Sequence, residues 1–248
     1  LDHGFLAPES FLAGDAPLTE QIRPRLTRTT SPIWMDSSTT AECTEIARLA
    51  GGGRVVQERT GSPPIERFTG PQIRRFHKQH PEAYRQTAVI HLVSSFLASV
   101  LAGRSVGIDQ GDGAGMNLLN LKTGEWDPVL LEATAPQLAE KLPPAIPCDT
   151  VAGAVAPYFV RRYGFDPDAR VVAWSGDNPN SLIGVGGWAP GTGVVSLGTS
   201  DTYFAAMREP RVDPDGDGHV FGNPAGGYMR LSCFKSGALG REAVRDRY

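Results

Sequence analysis

Apolar and polar positions along this chain follow two periods. Helices and strands alternate along most of it, and after Gly191 the texture changes to strands and turns. Thr39-x-x-Glu42 predicts a capping box opening a helix that runs to Ala50, where Gly51-Gly52-Gly53 stops it. Thr69-x-x-Gln72 predicts a second helix start, closed by Pro81. Val93, Phe96, Leu97, Val100 and Leu101 share one helical face, which is expected to be buried, with Gly103 as C-cap. Pro157 to Tyr163 reads as a helix ended by Gly164 and leads into an apolar strand, Arg170 to Trp174, which makes a helix–strand unit of α/β type. Strands are expected at Val194–Ser196, Thr202–Ala206, His219–Phe221 and Tyr228–Phe234, and Glu242 to Tyr248 reads as an unfinished helix. The change of texture at Trp188-Ala-Pro-Gly191 places a domain junction there, dividing the chain into 1–188 and 189–248.

Composition narrows the function classes. With 248 residues and 40% hydrophobic content, the chain has the makings of one large or two modest globular domains. No apolar run approaches the roughly 20 residues that cross a bilayer. A formal charge of −3 with scattered Lys and Arg argues against a nucleic-acid groove, so the expected partners are small molecules, with no nucleic acid and no membrane. Cys43, Cys148 and Cys233 lie far apart and outside any Cys-x-x-Cys spacing; Cys43 in a helical pattern and Cys233 in an alternating run read as small packed residues, and a reducing, cytoplasmic compartment is expected. Asp213-x-Asp215-x-Asp217-Gly218 matches the first half of a calcium loop, but its twelfth position is Pro224 rather than Glu, and it reads as a solvated turn. Gly184-x-Gly186-x-x-Ala189 matches a dinucleotide fingerprint by letter, yet Pro190-Gly191 stands where the helix would begin, so it reads as a linker. His77 and His80 share a helix face among Lys and Gln and read as wet surface rather than a metal site.

Two segments carry chemistry. In Trp174-Ser-Gly-Asp-Asn-Pro-Asn-Ser181 a strand ends abruptly and places Asp177 at its carboxyl end, where ligands of α/β proteins gather. The same residues also read as a helix start, with Asn178 as N-cap and Pro179 at the first helical position, so capping and proton transfer both stay open here. In Gly193-Val-Val-Ser-Leu-Gly-Thr-Ser-Asp-Thr202 the residues Gly198 to Asp201 read as a hairpin turn whose N–H groups and hydroxyls suit phosphate oxygens, or as an ordinary polar turn.

Taken together, Gly-Asp-Asn followed by Ser-Leu-Gly-Thr-Ser-Asp-Thr resembles the FGGY carbohydrate kinases, and within them the xylulose kinases of eukaryotic type. Trp34-Met-Asp-Ser-Ser-Thr39, Glu66-Arg-Phe-Thr-Gly70, Asp112-Gly-Ala-Gly-Met-Asn117 and Gly218-His-Val-Phe-Gly-Asn-Pro224 agree with that family in order and spacing. The resemblance implies an α/β, actin-like (ribonuclease H-like) sugar kinase fold. Residues 1–188 would be the latter part of its sugar-binding first domain, and 189–248 the opening of its nucleotide-binding second. It implies ATP-dependent phosphorylation of a ketopentose, D-xylulose, with Mg²⁺ accompanying the nucleotide and no metal ligand assigned to the chain. Asp177 would be the catalytic base and a sugar contact, Asn178 and Arg67 would hydrogen-bond the sugar, and Gly198, Thr199 and Ser200 would contact phosphates. His3-Gly4 resembles the family's Gln-Gln-His-Gly segment, although Leu1-Asp2 departs from it, which adds His3 as a sugar contact. Arg67 also reads as half of a surface ion pair with Glu66. The family's early Asp-x-Gly-Thr loop does not occur in these residues, so the resemblance implies a portion of a larger enzyme that is inactive alone. Other family members acting on L-ribulose, glycerol or another polyol are the alternative, as is a pseudokinase or sugar-binding module, against which Asp177 argues.

Overall fold

A computed structural model of the protein describes residues 1–7, 10–198, 200–234 and 237–248. Helices come first: α1 (Leu18–Ile22), α2 (Thr40–Leu49), α3 (Gly53–Thr60), α4 (Thr69–Gln79), α5 (Pro81–Gln86) and α6 (Val93–Ala102). Neither predicted capping box forms. The buried Thr39 hydroxyl donates to the Glu66 carbonyl at 2.5 Å instead of to its own helix. Thr69 is the first residue of α4 rather than its cap, and the Gln72 amide donates to the same Glu66 carbonyl at 3.1 Å and to that of Asp36 at 3.2 Å. Both side chains therefore pin the loop that carries Arg67. The glycines at 51–53 stop α2 as expected, yet the chain restarts at Gly53, and α3 was not foreseen. Pro81 ends α4 and opens α5 at its first position.

The predicted stripe of α6 is only partly right. Its well-buried positions are Ser95, Ala98, Ser99 and Val100, whereas Val93 is 70% exposed and Leu97 39%. Small side chains let α6 approach its neighbours closely, and the Ser95 and Ser99 hydroxyls satisfy themselves on backbone carbonyls nearby.

The middle of the chain alternates short strands and helices: β1 (Ile108–Asp109), α7 (Gln110–Ala114), β2 (Leu119–Asn120), β3 (Glu125–Trp126), α8 (Pro128–Thr134), α9 (Leu138–Lys141), β4 (Ala145–Ile146) and β5 (Val151–Ala154). The predicted helix–strand unit follows as α10 (Pro157–Tyr163), closed by Gly164, and β6 (Arg170–Val172), after which comes α11 (Asp177–Gly184). β1 runs parallel to β4, whereas β2 pairs with β3, and β5 with β6, antiparallel. Two cores hold this part. One gathers Ile46, Val56, Ile73, Phe76, Met116 and Leu130; the other gathers Phe5, Val89, Ala98, Val106, Tyr158 and Val171.

The last stretch is the predicted set of strands, β7 (Gly193–Ser196), β8 (Asp201–Met207), β9 (His219–Gly222) and β10 (Tyr228–Phe234), in one antiparallel sheet of order β7-β8-β10-β9, followed by α12 (Gly237–Arg247). Phe204, Ala206, Met229 and Leu231 alternate onto one face and pack with Ala114, Leu119, Leu121 and Leu182 from before the predicted junction. β9 seals the contact: the Val220 N–H donates to the Gly61 carbonyl at 2.9 Å, and the Tyr228 hydroxyl on β10 donates to the Leu121 carbonyl at 2.9 Å. Among the described residues no helix is long and apolar enough to cross a membrane.

Candidate active site

Two strands that belong to different sheets end at one place. β1 ends in Asp109, whose buried carboxylate accepts the Asp112 N–H at 2.9 Å, capping α7, and also the Ser175 hydroxyl beyond β6. Asp109 thus ties the end of β1 to the segment leading into α11. Three residues on, the half-buried Asp112 accepts the Ser94 hydroxyl from α6. Its other oxygen lies over Gly176, where a Cβ would come within 2.9 Å of it. The glycine of Gly-Asp-Asn is therefore required by close approach, not by backbone conformation. A second close approach lies within α7, where a Cβ on Gly111 would meet the Gly222 carbonyl of β9 at 2.9 Å.

Asp177 follows Gly176 as the first residue of α11, so the N-cap is Gly176 and not Asn178, and Pro179 stands third rather than first. The exposed Asp177 carboxylate accepts the N–H of Asn178 at 2.8 Å and sits in the first turn of the helix, where the helix dipole favours a negative charge. Burial of Pro179 and Leu182 anchors α11 from beneath, and the Asn180 amide holds the Ser175 carbonyl at 3.1 Å. Burial pushes the Asp109 carboxyl above its ordinary value and pushes that of Asp112 up to about 6, with Asp109 and Asp177 adding to the latter.

The surface ion pair read for Arg67 is not formed: the Glu66 carboxylate accepts instead from the Thr40 hydroxyl at 3.2 Å. Arg67 is exposed; burial, with the Arg67 charge adding to it, lowers the His219 imidazole to about 4. His219 opens β9, whose other end lies against Gly111 beside Asp112. Asn178 is half-buried beside Asp177. His3 is exposed in a single 3-10 turn anchored by Phe5, whose ring stacks on Phe96 of α6 with centroids 6.1 Å apart.

The predicted phosphate turn does join β7 and β8, with Ser196 paired to Thr202. Thr199 lies outside the described residues. The Gly198 N–H donates to the Asp201 carboxylate at 3.3 Å, and its carbonyl accepts from Ala238 at 2.9 Å and from Arg241 at 3.3 Å. Arg241 also pairs with Asp201, so α12 brings a cation to the turn, while Ser200 is exposed. The residues missed in sequence are Asp109, Asp112, Ser94, Ser175 and Arg241. Asp112 opens Asp112-Gly-Ala-Gly-Met-Asn117, and an Asp three residues before it, after Val106-Gly-Ile108, could have marked the helix cap. Among the described residues no three His, Cys, Asp or Glu side chains converge as a metal cage, and Asp213 is tied up by Arg230 at 2.8 Å.

Residues 20–184 match the model of the FGGY family of carbohydrate kinases, N-terminal domain. The chain is 47% identical over 232 residues to xylulose kinase 2 of Arabidopsis thaliana, across 93% of this chain and 41% of that protein. It is 47% identical over 231 residues to the xylulose kinase of Rattus norvegicus, across 92% of this chain and 42% of that protein. It thus spans about two fifths of the length of the curated relatives it matches. Among solved structures, a ligand-bound xylulose kinase from Lactobacillus acidophilus aligns with a TM-score of 0.77 at 22% identity, over 88% of this chain and 44% of that one. Plasmodium falciparum glycerol kinase with ADP aligns with a TM-score of 0.76 at 16% identity, over 87% and 44%. At those identities the structures speak to the fold, which is the expected α/β, actin-like sugar kinase fold.

Proposed function

The chain belongs to the FGGY family of carbohydrate kinases, and on that premise we propose that the full-length protein carrying it transfers the γ-phosphoryl group of ATP to D-xylulose, giving D-xylulose 5-phosphate. The observation that carries this reading is Asp177, an exposed carboxylate in the first turn of α11 where the ends of β1 and β6 are tied together. A sugar hydroxyl hydrogen-bonded to Asp177 is oriented for attack and loses its proton to the carboxylate as its oxygen bonds to phosphorus; the bond from phosphorus to the ADP oxygen breaks, and its electron pair leaves with ADP. Asn178 and Arg67 hold the remaining hydroxyls, with His3 as a further contact. Gly198, Thr199 and Ser200 approach the phosphates. Mg²⁺ would enter with the nucleotide, held mainly by its phosphates and water and neutralising their charge. Residues 1–188 then form the sugar side of the cleft and 189–248 begin the nucleotide side. The three free thiols suit a cytoplasmic enzyme.

Arg67 supplies the test. A guanidinium with no carboxylate partner in Glu66 is available to sugar hydroxyls, and a charged hydrogen bond is worth about 1.5–3 kcal/mol, so Arg67→Ala should raise the sugar KM of the full-length protein by roughly ten- to a hundredfold. The ATP KM should hold. Steady-state kinetics with each substrate varied in turn decides it: an unchanged sugar KM removes Arg67 from the site.

A further inference from the structure

Gln72, Arg75, Phe76 and Gln79 share one face of α4, three and four residues apart. With Arg28, Asp36 and His80 they line a cavity of about 140 Å³, and no residue assigned above to the sugar or the phosphates of the nucleotide lines it. A cavity of roughly 150 Å³ admits one benzene-sized molecule, so there is room for a single small ion or one phosphate group. The walls are already set. The Gln72 amide donates to the Asp36 and Glu66 carbonyls at 3.2 and 3.1 Å, and the Arg75 guanidinium donates to the Ser38 carbonyl at 2.7 Å and to the Gln79 side-chain oxygen at 3.0 Å. The half-buried Arg28 guanidinium lies over the Phe76 ring, 4.7 Å from its centroid.

These two cations differ from their neighbours on α4. Arg74 pairs with Glu45 at 2.6 Å, and Lys78 with Glu42 and Glu45 at 2.9 and 2.8 Å. Among the described residues neither Arg28 nor Arg75 forms an ion pair, and Arg28 makes no hydrogen bond at all. Asp36, the one carboxylate in the wall, turns an oxygen to Ser38, accepting its N–H at 2.9 Å and its hydroxyl. Two guanidiniums against one carboxylate leave the cavity positive. We propose that Arg28 and Arg75 form a binding site for a phosphate group, either free inorganic phosphate or the phosphate of a small monoester. A guanidinium presents parallel N–H donors that match phosphate oxygens, and a phosphate has oxygens enough to accept from both arginines at once, whereas a carboxylate has two. The Gln79 oxygen is taken by Arg75, which leaves its NH₂ group to donate as well. Gln79 and His80 are exposed, so the organic part of a monoester has a way out to solvent.

The test is calorimetric titration of the full-length protein with sodium phosphate and, separately, with methyl phosphate, at constant ionic strength so that screening does not change between samples. The expected Kd is about 1 mM or tighter. Arg28→Gln and Arg75→Gln should each weaken binding by about tenfold or more, while Arg67→Ala, which alters the proposed sugar site, should leave it unchanged. Methyl phosphate binding at least as tightly as phosphate identifies a monoester as the occupant, and weaker binding identifies the free ion. No binding of either probe up to about ten times that concentration overturns the inference. So does binding that survives both glutamine variants, or that is lost only in Arg67→Ala. Should Arg28→Gln fail to fold, Arg75→Gln decides alone. No turnover is measured, so failure here leaves the kinase reading standing.

Discussion

Asp177→Asn in the full-length protein is expected to lower kcat by about 10²–10⁴ while leaving the melting temperature nearly unchanged. Asparagine matches the shape of aspartate, and its side-chain oxygen can still accept the Asn178 N–H that Asp177 accepts at 2.8 Å. The carboxylate is exposed, so its replacement creates no cavity, and the loss of a charge from the first turn of a helix costs only about 0.3–1 kcal/mol. What asparagine lacks is the ability to take a proton. Because phosphoryl transfer with a loose transition state asks less of its base, the lower end of the range is the firmer expectation. Parallel measurement of kcat and thermal unfolding separates the readings. A variant with more than about a tenth of wild-type kcat lies outside the range and returns Asp177 to a helix-terminal role.

The largest effect on stability is expected at Asp127, which opens α8. Its side chain is fully buried, and it accepts the Val129 and Leu130 N–H groups at 3.0 and 3.2 Å, starting α8, together with Arg59 and Asn120, each at 2.8 Å. Asp127→Ala removes the cap and strands four donors, for a loss of about 3 kcal/mol and a melting point lower by roughly 6–12 °C. Burial alone would raise this carboxyl, but the hydrogen bonds from Arg59 and Asn120 outweigh it and hold the pKa below its ordinary value. A depressed pKa means that the stabilisation is complete above the unfolded value of about 3.9 and is lost as pH falls through the folded one. The gap between wild type and variant should therefore be full at pH 7 and shrink below about pH 4, as read by thermal melts across that range. Equal melting points at pH 7 would contradict this assignment.

Elements whose residues answer to local forces were legible. β8 and β10 alternate because one face of their sheet is buried and the other is open, and the pattern survives in the sequence. Gly103 and Gly164 end their helices in the left-handed conformation that marks them. Thr39 and Gln72 misled for a single reason: a hydroxyl or amide at a helix start can serve the helix or the tertiary fold, and here both serve the Glu66 carbonyl. The stripe on α6 misled because serines and alanine pack there as well as leucine does. At the site, Asp177 stood out because Gly-Asp-Asn follows an apolar run. Asp112 did not, because its meaning comes from Gly176, which the fold brings to it from a distant segment.

The central claim is sugar phosphorylation at Asp177, and the most direct test is ADP release by the purified full-length protein with ATP, Mg²⁺ and, in separate reactions, D-xylulose, L-ribulose and glycerol. The account predicts ADP formation that depends on sugar, is fastest with D-xylulose and is matched mole for mole by a phosphorylated sugar. No sugar-dependent ADP release would contradict the kinase reading, and a clear preference for glycerol or L-ribulose would contradict the substrate.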